Sequence, residues 1–169
     1  FNTLLGVVLM RQARFSEASD HFRAALEVLP SNLDTLNNLG ASLLWQDRLD
    51  DAAAKFREVL AANPAYVEAR VNLGIVLAKK NQQDAAAKEF LTVLKADPAR
   101  LDALNSLATL LTNLSRSAEA VEYYRKALAA REDALLHIGI ARLLEEQGKS
   151  DEAMTHLQRA AEMAPNTAA

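Results

Sequence analysis

A chain of 169 residues, half of them hydrophobic, is long enough to bury a core and too apolar to be disordered throughout. Its 19 basic and 22 acidic residues are well mixed and leave a net charge of −3, which argues against the basic stripe of a nucleic-acid-binding surface. Cysteine is absent, so disulfides and thiolate metal sites are excluded, and no apolar run reaches the roughly 18 residues of a membrane span.

In chain order, five segments repeat one pattern. The first carries Leu5-Gly6 and Leu9, then Ala18, Phe22 and Pro30. In the second, Leu36, Leu39, Gly40 and Leu43 fall at i, i+3, i+4 and i+7, one stripe of a helix. Asp47-Arg48 and Asp50-Asp51 break that stripe, and Asp50 is the expected cap of a second helix whose apolar face is Ala52, Ala53, Phe56, Val59 and Leu60. Pro64 closes the segment. The third carries Leu73-Gly74, Leu77, Ala86, Phe90 and Pro98, and the fourth Leu104, Leu107-Ala108, Leu111, Ala120 and Tyr124, with Glu132 at the proline position. The fifth reads His137, Ile140-Ala141, Leu144, Gly148, Ala153, Leu157, Ala160 and Pro165. Gly6, Gly40 and Gly74 recur at 34 residues, as do Ala18, Ala52, Ala86 and Ala120, while Ala120 to Ala153 is 33. Such a fixed period marks a repeat array.

The second segment, Leu36-x-x-Leu39-Gly40-x-x-Leu43 followed by Ala52-x-x-x-Phe56 and Pro64, resembles a tetratricopeptide repeat (TPR), whose signature is W-x₂-L-G-x₂-Y, then A-x₃-F, then P. The resemblance covers nearly the whole chain. It implies an all-α fold, a right-handed α-solenoid of stacked antiparallel helix pairs A and B. The expected repeats are about 1–32, 33–66, 67–100, 101–133 and 134–167, in a single domain 1–169. Phe1 already lies inside a helix and Pro165-Asn166-Thr167 reads as the entry to another repeat, so the chain is expected to be a piece of something longer.

Gly40 and Ala52 are small where helices A and B cross, and Phe56 fills the space behind them. A substitution such as Gly74→Leu is therefore expected to overpack its crossing by roughly 1–3 kcal/mol. Asn63-Pro64 and Asp97-Pro98 are read as an N-cap followed by a first-turn proline. Repeats four and five lack that punctuation at their join, where Asp133 is the expected cap and a changed stacking angle is expected.

Residues of helix A two places beyond the core column lie about 200° round the helix, at about 100° per residue. In repeat two these are Asp34, Asn37, Asn38, Ala41 and Trp45. In the TPR family this face is similar to the concave wall that holds peptides. Matching positions are Thr3, Val7, Met10 and Arg11, then Glu68, Val71, Asn72, Ile75 and Lys79, then Asp102, Asn105, Ser106, Thr109, Thr112 and Asn113. Asn38 and Asn72 are expected to stack on neighbouring helices, where a carboxamide offers both donor and acceptor to a peptide backbone. This resembles the asparagine ladder of O-GlcNAc transferase, broken here at Leu4, Ser106 and Gly139. The acidic column Asp34, Glu68 and Asp102 either complements the helix dipoles or selects a basic partner segment. Trp45 is either an interface anchor or packed on a neighbouring repeat, and Tyr66 is read as an inter-repeat contact. The candidate partner-binding residues are thus Asp34, Asn37, Asn38, Trp45, Glu68, Asn72, Lys79, Asp102 and Asn105.

The family's carboxylate clamp for chaperone C-terminal tails needs Lys-x-x-x-Asn, then Asn, then Lys-x-x-x-Arg on successive helices A. Here Thr3 and Val7, Asn38, then Glu68 and Asn72 occupy those places, so such a tail is not an expected partner. His21, His137 and His156 lack metal-ligand spacing, and His21 and His156, equivalent on helix B, are expected to point outward. The glycines of the repeat lie inside helices, and no serine sits in a nucleophile elbow. No catalytic residue, cofactor or metal is expected. The reading is a non-catalytic scaffold that binds another protein or peptide, with no nucleic acid and no membrane insertion. Alternatives are a homo-oligomer joined through uncapped ends, or the substrate-docking arm of a larger enzyme such as a glycosyltransferase. The compartment stays open, with the cytoplasm favoured.

Overall fold

The computed structural model describes residues 1–163; Pro165 and the segment expected to enter a further repeat lie outside them. Among the described residues are ten helices and no strand: α1 (Asn2–Arg11), α2 (Phe15–Val28), α3 (Leu33–Trp45), α4 (Leu49–Ala62), α5 (Val67–Lys79), α6 (Gln83–Ala96), α7 (Leu101–Asn113), α8 (Ser117–Ala130), α9 (Ala134–Glu146) and α10 (Ser150–Met163). Odd-numbered helices are the A members of the pairs and even-numbered helices the B members. The described residues form two units, one spanning Phe1–Glu89 and the other beginning at Phe90.

Every A–B turn is closed by backbone geometry. Ala13, Asp47, Asn81, Ser115 and Gly148 adopt positive φ of 57°, 58°, 59°, 57° and 72°. Around Asp47, the Arg48 N–H donates to the Leu43 carbonyl at 2.9 Å and the Asp47 N–H to Leu44 at 3.0 Å, the paired bonds of a Schellman C-cap. Arg14 to Leu9, Gln82 to Leu77, Arg116 to Leu111 and Lys149 to Leu144 repeat the longer bond at 2.7–2.9 Å. The residue that ends the motif also begins the next helix, so Arg14, Arg48 and Arg116 are the N-caps of α2, α4 and α8. Asp50 is therefore not the cap of α4; it sits in the first turn and its carboxylate pairs with Lys80. The acid three residues after each arginine pairs back to it, as Arg14–Glu17, Arg48–Asp51 and Arg116–Glu119.

Joins between repeats follow a different rule. Asn63 and Asp97 are not N-caps as the sequence suggested. Proline disfavours helical geometry in the residue before it, so Asn63 turns extended (φ −139°, ψ 94°) and ends α4. Its Oδ1 accepts from the Ala65 N–H at 3.0 Å, and Asp97 does the same for Ala99 at 3.1 Å, both Asx turns. Helices α5 and α7 start later, with Tyr66 and Arg100 as N-caps. Asn32 does cap α3, through Thr35 N–H at 2.8 Å, and Asp133 caps α9 as expected, through Leu135 N–H at 2.9 Å.

In the first unit, Phe22 and Phe56 are fully buried beneath Gly6 and Gly40. A Cβ at Gly6 would lie 2.5 Å from Phe22 Cε1, and one at Gly40 2.7 Å from Phe56 Cε1, so any larger residue at either crossing forces the ring to shift. A buried polar cluster joins α2 to α3: Ser19 Oγ lies 2.8 Å from Ser42 Oγ, and Gln46 Nε2 donates to Ser19 Oγ at 2.6 Å and to the Phe15 carbonyl at 3.1 Å. In the second unit Tyr124 takes the phenylalanine position, fully buried, and its hydroxyl donates to Asn105 Oδ1. Its ring reaches α9, where a Cβ at Gly139 would lie 2.2 Å from Tyr124 Cε1.

Candidate functional site

In the first unit the candidate residues divide into those the fold uses and those it presents. Asp34 is exposed, and its Oδ1 accepts from the Tyr66 hydroxyl at 2.6 Å, which makes Tyr66 the inter-repeat contact expected of it. Burial, with the Asp34 charge, raises the Tyr66 phenol above its ordinary range and keeps it a donor. Asn37 is only 9% exposed, and its Oδ1 lies 3.4 Å from Asn72 Nδ2, so it sits between α3 and α5. The amide that meets Asn72 is thus Asn37 rather than Asn38; Asn38 is half-buried beside them. Trp45 is 67% exposed, yet its ring stacks on Phe15 of α2 at 5.6 Å and 11°. Glu68 is exposed in the first turn of α5, and Lys79 is exposed at its end, 3.5 Å from Asp47.

In the second unit, Asp102 is exposed and paired with Arg100 at 2.8 Å, and Asn105 is exposed while accepting from Tyr124. Ser106 and Thr109 donate to the carbonyls of Asp102 and Asn105 at 2.8 and 2.9 Å, so these hydroxyls turn back onto their own helix. The amide column already stops at Ser106, and at its next position, Gly139, the Tyr124 ring fills the place of a side chain. Sequence reasoning missed Leu135 and Ile138, 56% and 46% exposed on α9. A shift of 33 residues, already visible between Ala120 and Ala153, places them in the columns of Asp102 and Asn105.

His156 does not point outward. Its Nδ1 lies 2.8 Å from His137 Nδ1, while His137 Nε2 meets Glu132 Oε1 at 3.2 Å and Arg159 Nε meets the same oxygen at 3.2 Å. His137 is 7% exposed and draws its partner inward. Burial, then the neighbouring His137, lowers the His156 pKa below its ordinary value. Hydrogen bonds from His137 and then Arg159 hold the Glu132 carboxyl below the usual carboxylate range. Among the described residues no group of three or more potential ligands is placed to hold a metal ion, and no helix is long and apolar enough to cross a membrane.

No curated protein matches the chain. Among solved structures, TTC0263, a thermophilic TPR protein in Thermus thermophilus, superposes with a TM-score of 0.75 at 21% identity, covering 98% of this chain and 91% of that one. A crystal structure of MamA gives 0.68 at 21% identity over 93% and 92%, and MamA AMB-1 gives 0.63 at 24% over 96% and 89%. These likenesses show the fold, an all-α solenoid of helical hairpins. The model of the tetratricopeptide repeat matches residues 3–67, 37–101, 71–134 and 105–168, so this chain belongs to the tetratricopeptide repeat family.

Proposed function

We propose that the chain is a non-catalytic protein-interaction scaffold whose helices A hold an extended segment of a partner protein. The observation that carries this reading is Trp45, an aromatic left two-thirds exposed while the chain spends Phe15 on holding its ring in one orientation. Rigid exposed aromatics lose little entropy on contact and are enriched among interface anchors. The half-buried amides of Asn38 and Asn72 on the same helices supply donors and acceptors suited to a peptide backbone. Glu68 and Lys79 supply opposite charges at the two ends of α5. Asp34 acts mainly through Tyr66 and Asn37 through Asn72, so both support the surface rather than line it. In the second unit, exposed Leu135 and Ile138 beside Asp102 and Asn105 suit an apolar segment.

The test is capture of partners from the source cell extract by the parent chain, Trp45→Ala and Asn72→Ala. Loss of the same partners from both variants, with melting temperatures retained, supports the reading; unchanged capture refutes it. A second reading, self-association through terminal helices, draws support from Leu4 and Val8 on α1 (74% and 48% exposed) and Met154 and Leu157 on α10 (54% and 40%). A monomer mass by light scattering that is independent of concentration disposes of it.

A further inference from the structure

We propose that the second unit carries a binding site for a small amphiphilic carboxylate, an acid with an aromatic or branched apolar body, in the cavity between α6 and α8. The cavity measures about 320 Å³, the size of a small ligand site. Leu94 and Leu104, 7% and 1% exposed, form its floor, with Leu91 and Tyr123 as walls and Lys95 and Lys126 at the mouth.

The repeat itself shows what is different here. The floor position of Leu104 is Arg70 in the preceding repeat, where the guanidinium donates to Glu89 at 2.8 Å and to the Pro64 carbonyl at 2.6 Å. In the following repeat it is His137, joined to His156 and Glu132. In both places the chain fills the slot between adjacent helices B with its own polar side chains. Leu104 is too short and too apolar to do so.

The charges point the same way. Lys95 and Lys126 correspond to Ala61 and Thr92 one repeat earlier, to Glu27 and Glu58 two repeats earlier, and to Ala129 and Arg159 one repeat later. Leu36, two repeats earlier, offers the same apolar floor but with Glu27 and Glu58 in place of the cations, so among the described residues only the Leu104 slot combines an apolar floor with two cations at its mouth. Among the described residues neither ammonium has a carboxylate partner; Lys126 instead lies 5.3 Å from the centre of the Tyr123 ring. Tyr123 is thereby held as a polarised aromatic wall. An apolar body seated on Leu104 would leave its carboxylate to the two lysines that line the same cavity. Because the cavity opens between helices B, with only Leu104 of its buried floor taken from α7, the inference stands or falls apart from the partner surface on helices A.

The experiment titrates the full chain with 4-phenylbutyrate and, in parallel, 4-phenylbutanamide, following leucine methyl and tyrosine ring NMR signals. We expect saturable shifts at Leu91, Leu94, Leu104 and Tyr123, binding of the amide about tenfold weaker, and a loss of about threefold in Lys126→Gln. Leu91→Asp, at a position already 38% exposed, places a carboxylate in the wall without burying it and is expected to abolish binding while the fold is kept. Equal binding of acid and amide, shifts elsewhere on the chain, or undiminished binding by Leu91→Asp overturns the proposal. So does a Glu-Phe-containing peptide that saturates the slot when phenylbutyrate does not, since that result assigns the slot to a protein segment.

Discussion

Gly40→Ala sets two known effects against each other. Alanine in place of glycine inside a helix gains about 1 kcal/mol of helix propensity. At Gly40 the new Cβ would stand 2.7 Å from Phe56 Cε1 and 3.0 Å from Cδ1 and Cζ. Carbon atoms prefer about 3.5 Å or more, so the ring must retreat by roughly 0.8 Å. Phe56 has no exposed surface, and its neighbours must move with it. Overpacking of this kind costs about 1–3 kcal/mol, which outweighs the propensity gain and leaves a net loss of about 1 kcal/mol. For a chain of this size that is a fall of about 2–4 °C in melting temperature. Thermal unfolding followed by circular dichroism reads it, and Phe56→Leu in the Gly40→Ala background should recover part of what Phe56→Leu alone loses. A melting temperature that rises with Gly40→Ala would refute the close-contact account of the repeat's glycine column.

Three further outcomes are expected. Ala13→Gly and Ser115→Gly relieve left-handed backbone at 57° and should each stabilise by about 0.5–1 kcal/mol, whereas Gly148→Ala, at 72° with open space around it, should destabilise by about 1 kcal/mol; denaturant midpoints check all three. Tyr66→Phe removes the hydrogen bond to Asp34 and should cost about 1 kcal/mol, read as a lower urea midpoint with an unchanged slope. The His156 pKa is depressed by folding, so below its unfolded value of about 6.5 the unfolded state binds more protons and stability falls with pH. Melting temperature should therefore decline between about pH 7 and pH 5, and His156→Gln should flatten that slope; an equal slope in both proteins refutes the assignment.

The period, the helix pairs and the Gly–Phe crossings were legible because each depends on side-chain size and apolar spacing, which a linear sequence displays. The turns were harder. Asp47, Asn81 and Gly148 suit left-handed backbone, but Ala13 and Ser115 in the same column hide the signal. Asp50 was misread because the cap of α4 is set by the end of α3, not by the best capping residue nearby. Asn63 and Asp97 were misread because proline's constraint on its predecessor acts before capping can. On the candidate surface, Asn37 looked like a wall residue and is instead 9% exposed against Asn72. Its burial depends on the angle between α3 and α5, which spacing along one helix does not contain. His156 failed for a similar reason, since its environment is set by His137, nineteen residues away on another helix.

The left-handed residue at each A–B turn carries a consequence for how such a chain can grow. Reversal of direction is written in five backbone conformations and in main-chain hydrogen bonds, with no demand on any neighbouring module. A duplicated stretch of 34 residues would bring its own instruction for folding back on itself and would need compatible side chains only where it meets the next pair. Gene duplication can thus lengthen the array without redesigning a loop, and the side chains at each new join remain free to diverge.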